Sequence, residues 1–119
     1  FRVSRPSIGP DAYEGYYAGI SASANQVILG RADGKSWTPL KIINRLIPAD
    51  KSTKLDVTAH GNRIEVRLND DAAPIISLTD DQYTAGQAGV RMYTTDNDRA
   101  VSAFDNVRLS PLPAAAPTR

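Results

Sequence analysis

At 119 residues the chain is long enough for one hydrophobic core and too short for two. With 41% hydrophobic residues, 23% charged residues and no cysteine, it is composed like a folded domain, which excludes global disorder, disulfides and thiolate chemistry. A net charge of +1, spread over scattered arginines, gives nucleic acid no basic stripe to bind, and no window approaches the roughly 20 apolar residues of a membrane helix.

Phe1-Arg2-Val3 reads as the interior of a strand that starts abruptly, followed by a loop at Pro6 and Gly9-Pro10-Asp11. If that strand lies within a sheet, a neighbour is needed. We expect an upstream segment or a companion chain to supply it. Residues 16–21 and 26–32 read as strands around the turn Ala22-Ser23-Ala24-Asn25. Asp33-Gly34-Lys35 then sets off a third strand through Trp37, Leu40 and Ile42.

Period-2 alternation is clearest in the middle of the chain. Leu55, Val57 and Ala59 alternate with polar residues, and after His60-Gly61-Asn62 the pattern resumes at Ile64, Val66 and Leu68. This predicts a β-hairpin with one face on a core, Gly61 and Asn62 supplying positive φ at the reversal. Residues 74–78 and 87–93 read as further strands, Pro74 standing where a strand can begin. A last strand is expected over 100–109, with a bulge near Asp105-Asn106 turning Phe104, Val107 and Leu109 together toward the core. That makes roughly nine strands and no long helix, a pattern that points to an antiparallel β-sandwich or barrel. Residues 110–119 carry three prolines and read as an extended tail or the stub of a linker.

Candidate chemistry is sparse. His60 stands alone beside a turn and reads as a solvated surface residue, which leaves no Ser/His/Asp set. Glu14 and Glu65 are the only glutamates, and Glu65 alternates outward with Arg63 and Arg67 as an ion-pair partner would. No pattern marks the raised-pKa carboxyl that a glycosidase pair requires. Asp80-Asp81 and Asp96-Asn97-Asp98 are read as turn formers, though their oxygens also suit calcium. Asp105, between apolar neighbours, needs a partner: a structural Ca²⁺, backbone N–H groups at a bulge, or an arginine.

The aromatic content is mostly tyrosine, and tyrosine and tryptophan combine an apolar face with a polar edge that suits a sugar ring. Tyr16 and Trp37 are read as core aromatics whose polar atoms reach the rim. Tyr17 and Tyr93 fall opposite their apolar neighbours, and Arg31 and Arg91 offer forked donors, so these four are the candidate carbohydrate-binding residues.

Several segments carry a family likeness. Gly15-Tyr16-Tyr17-Ala18-Gly19-Ile20, Val27-Ile28-Leu29-Gly30-Arg31-Ala32 and Leu55-Asp56-Val57-Thr58-Ala59-His60-Gly61-Asn62 are among them. With Tyr83-Thr84-Ala85-Gly86-Gln87 and Phe104-Asp105-Asn106-Val107, in this order, they resemble the concanavalin/laminin-G-like accessory modules of secreted glycoside hydrolases. The resemblance covers residues 1–109 and implies a jelly-roll sandwich lacking its first strands. It implies a secreted, extracellular protein whose module binds glycan, or braces a catalytic domain, without performing chemistry itself. It also makes Asp105 the acidic position that faces a structural Ca²⁺. A catalytic domain or companion chain supplying the missing strands is the partner it implies, with neither nucleic acid nor membrane involved. Fold likeness of this kind does not fix a ligand.

Overall fold

The computed structural model describes residues 1–7, 11–91, 104 and 107–110. The described residues form an all-β structure of two antiparallel three-stranded sheets with no helix. Strands β1 (Glu14–Ser21), β2 (Gln26–Asp33) and β3 (Trp37–Asn44) make the first sheet, in that order. Strands β4 (Leu55–His60), β5 (Arg63–Leu68) and β6 (Ile76–Thr79) make the second. All six lie in a compact unit spanning Phe1–Gln87, and a second unit begins at Ala88.

Local chemistry explains the turns. Gly61 and Asn62 close the β4–β5 hairpin, but only Gly61 takes positive φ, at 60°, where a pair of positive angles was expected. A positive angle at the first central position alone is the type II′ pattern, which glycine permits without steric strain. Between β2 and β3, Gly34 has φ 96°, and the Asp33 carboxylate accepts hydrogen bonds from the amides of Lys35 and Ser36 at 3.0 and 2.8 Å. This is an Asx-type turn.

The two sheets share one core. Tyr16, Val27 and Leu29 of the first meet Ile64, Val66, Leu68 and Ile76 of the second, and Ile47 closes over them from the connection after β3. The Ile47 amide donates to Asn25 Oδ1 at 3.1 Å, which fixes that connection against the β1–β2 turn. Each fully buried aliphatic side chain contributes about 1.5–3 kcal/mol by leaving water. On the outer side of β5, Glu65 lies between Arg63 and Arg67 at 3.2 Å from each, the ion pairing its alternation predicts. Exposed pairs of this kind add little stability.

A register shift in β3 decides what faces where. Leu29 pairs with Lys41 while Gly30 pairs with Pro39, so Leu40 is the extra residue of a bulge. The bulge lets Leu40 and Ile43, of opposite parity, both pack against the core. It also turns Trp37 away. The expectation that Trp37 is a core residue is therefore corrected: it is half-buried on the outer face, opposite Ala32.

Two C-terminal expectations are corrected as well. Gln87 forms a bridge with Val3, but residues 88–91 carry no strand, because no described segment supplies a ladder beyond that bridge. Phe104, Val107 and Leu109 are 52%, 67% and 81% exposed rather than turned to a core, and none of them is in a strand. The proposed bulge at residues 105–106 lies outside the described residues. At the other end, Phe1 exchanges backbone hydrogen bonds with Tyr16, and Val3 exchanges them with Gln87.

Candidate functional site

The outer face of β1–β2–β3 is built around glycine. Register sets Tyr17 opposite Gly30 and Gly19 opposite Ile28, on the side away from the core residues Tyr16 and Leu29. The Trp37 indole occupies the space above Gly30 so closely that a Cβ there would lie 2.2 Å from the ring. The Tyr17 phenol does the same above Gly19, at 2.6 Å. Neither glycine is among those with positive φ, so their role is space and not backbone conformation. Two amphipathic rings are thereby seated on one sheet face, both half-buried and neither in the hydrophobic core.

A second, polar cluster sits where the two layers meet. Asp80, immediately after β6, accepts a hydrogen bond from the Tyr16 hydroxyl at 2.5 Å and from the Gln82 amide at 3.1 Å. Its other carboxylate oxygen accepts from Arg31. The Tyr16 hydroxyl accepts in turn from the Tyr83 amide at 3.2 Å, and the Tyr83 ring meets Tyr16 edge-on at 5.4 Å. Phe1 stacks against Tyr16, with ring centroids 5.2 Å apart. Arg2 ties the N-terminal segment to the hairpin by donating to the Gly61 carbonyl at 2.7 Å.

Electrostatics here are structural. Burial, followed by the hydrogen bond to Asp80, pushes the Tyr16 phenol up to about 12. For Asp80, burial acts to raise the pKa, but the Tyr16 hydroxyl, the Gln82 amide and Arg31 together outweigh it and hold the carboxyl below its ordinary value. Neither group exchanges a proton near neutral pH, so the pair is unsuited to general acid–base catalysis. Beside the cluster, Arg31, Asp33, Thr38, Gln82 and Tyr83 line an open cleft of about 210 Å³.

Of the candidate carbohydrate-binding residues, Tyr17 and Arg31 lie on opposite sides of the first sheet. Tyr17 is on the outer face, while Arg31, paired opposite Tyr16, is on the inner side and bound to Asp80. Arg91 is half-buried in the second unit, and Tyr93 and Asp105 lie outside the described residues. Among the described residues no three acidic, histidine or cysteine side chains gather as a metal site would require. His60 is exposed at the end of β4, as its turn position predicts. The platform residue missing from the sequence reading is Trp37. Its signal was the pairing of aromatic side chains with glycines inside strands, at Tyr17-Ala18-Gly19 and at Gly30. Compared with known proteins, the chain matches no protein-family profile, no curated protein and no solved structure.

Proposed function

We propose that this chain is a non-catalytic carbohydrate-binding module whose ligand stacks on Tyr17 and Trp37. The observation that carries the reading is the glycine-floored outer face, on which Gly19 and Gly30 make room for the two rings. A sugar's C–H face packs on such rings while its hydroxyls hydrogen-bond to polar edges. Affinity from two rings is modest, and attachment to a polysaccharide-degrading enzyme would raise the effective concentration. The same reading makes the fold a concanavalin-like jelly roll and the protein a secreted one, working beside a catalytic domain.

Tyr17→Ala and Trp37→Ala are each expected to weaken glycan binding about tenfold or more, as truncation of an aromatic anchor does, without moving Tm appreciably. Glycan arrays followed by calorimetry measure this. Unchanged binding in both variants rejects the platform, and absence of binding in the parent chain together with tight association to a catalytic domain favours a purely bracing role. The resemblance also carries a structural Ca²⁺ at Asp105. Ca²⁺ is expected to raise the Tm of the parent chain but not of Asp105→Asn, and an equal shift in both removes Asp105 from the site.

A further inference from the structure

Resting on the carbohydrate reading, we infer that the ligand is a neutral linear polysaccharide lying along the strands, from the aromatic end of the β1–β2–β3 face to a row of amides at its other end. Register defines the path. Beyond the rings, the next outer row holds Ile28 and Ile42, an apolar stretch in which Ile42 is 45% exposed. The row after that sets Ser21, Gln26 and Asn44 side by side. From Ala32, beside Trp37, to Gln26 is six residue steps along β2, or about 20 Å at roughly 3.4 Å per residue.

Charge selects the class. The outer positions of β1, β2 and β3 include no Asp, Glu, Lys or Arg. The outer side of the second sheet, by contrast, carries Arg63, Glu65 and Arg67 on a single strand. An acidic or sulfated polymer would call for arginine or lysine at the point of contact. The far row offers amides instead. Gln26 and Asn44 each provide two donors and an acceptor group, which match sugar hydroxyls in either direction. Neither side chain is hydrogen-bonded to another described residue, and Asn44 is exposed. The Ser21 hydroxyl is already engaged, accepting from the Ala24 amide at 3.2 Å. Gln26 and Asn44 are therefore the positions that set specificity at the far end.

The test is calorimetric titration of the whole chain with unsubstituted gluco- and xylo-oligosaccharides, from disaccharide to hexasaccharide, and with oligogalacturonate of matching length. Affinity for the neutral series should rise with length until the ligand reaches the amide row, then level off, and should not respond to salt. Combining Gln26→Ala and Asn44→Ala should weaken the hexasaccharide about tenfold, as losing two hydrogen bonds does, and leave the disaccharide unchanged. Both substitutions are on the surface, and an unaltered Tm verifies folding. Equal or salt-sensitive binding of oligogalacturonate, or an unchanged length dependence in the double variant, overturns this inference alone if Tyr17→Ala and Trp37→Ala still lose binding. No binding of any oligosaccharide to the parent chain overturns it together with the carbohydrate reading.

Discussion

Replacing Asp80 with alanine is expected to lower the free energy of unfolding by about 3 kcal/mol, among the larger effects a single polar substitution can have. Asp80 belongs to the end of the second sheet, yet its partners Tyr16 and Arg31 belong to the first. Its removal takes the short carboxylate acceptor from a hydroxyl on a residue only 1% exposed, leaving it the Asp80 carbonyl at 3.2 Å, and strips a guanidinium of its counter-charge. The Arg31 side chain is 36% exposed, so water screens part of that loss and the figure stays at the low end of the range for a buried pair. Asp80→Asn keeps an acceptor for Tyr16 and should cost about 1 kcal/mol. Urea denaturation at pH 7 separates the two. The pH profile gives an independent check. Because the folded carboxyl titrates below 3.8, its contribution is complete above that value and is lost as pH falls through the folded pKa. Tyr16 works in the opposite direction: with its phenol raised from 10.0 to about 12, its contribution is complete below pH 10 and is lost as pH rises toward 12. Two pKa units correspond to at most about 3 kcal/mol. Tyr16→Phe should shrink this alkaline limb to the share of Tyr83, whose phenol burial also raises, and a parent chain whose stability is flat from pH 9 to pH 12 would contradict the assignment.

The sequence made the β4–β5 hairpin legible because its alternation is unbroken and Leu55, Val57 and Ala59 pair across to Leu68, Val66 and Ile64. Tyr16 likewise fell on the core side, where it is now found. Trp37 was misassigned for a definite reason. A large ring inside a strand reads as core, and nothing local shows that it shares the outer face with Gly30 or that a bulge inserts Leu40 between Pro39 and Lys41. A proline next to that bulge gives no signal of which residue is doubled. Asp80 was hidden by its neighbour: Asp80-Asp81 after an apolar run looks like a turn, and the Gln82 amide does bind the Asp80 carboxylate as a turn requires. Its links to Tyr16 and Arg31 span 64 and 49 residues, a separation that no local pattern encodes.

Gly30→Ala is expected to weaken glycan binding by about 2 kcal/mol, or roughly thirtyfold, while changing stability far less. The backbone at Gly30 accepts alanine, since its φ is not in the left-handed region, and the lost flexibility of the unfolded chain favours the variant by about 0.4–1 kcal/mol. The new methyl carbon, however, would lie 2.2 Å from the Trp37 indole, and the ring must leave its seat. That displacement offsets the entropic gain and destroys the stacking surface. Gly61→Ala provides the control, because it has open space around the added carbon but a φ of 60°; it should cost about 1 kcal/mol of stability and leave binding intact. Trp37→Ala placed on top of Gly30→Ala should add little further loss, because both remove the same ring from the same position. Full additivity of the two, or undiminished binding in Gly30→Ala, would show that the ligand does not depend on an indole held over Gly30. The two glycine variants thus separate the space that seats a ring from the conformation that turns a chain.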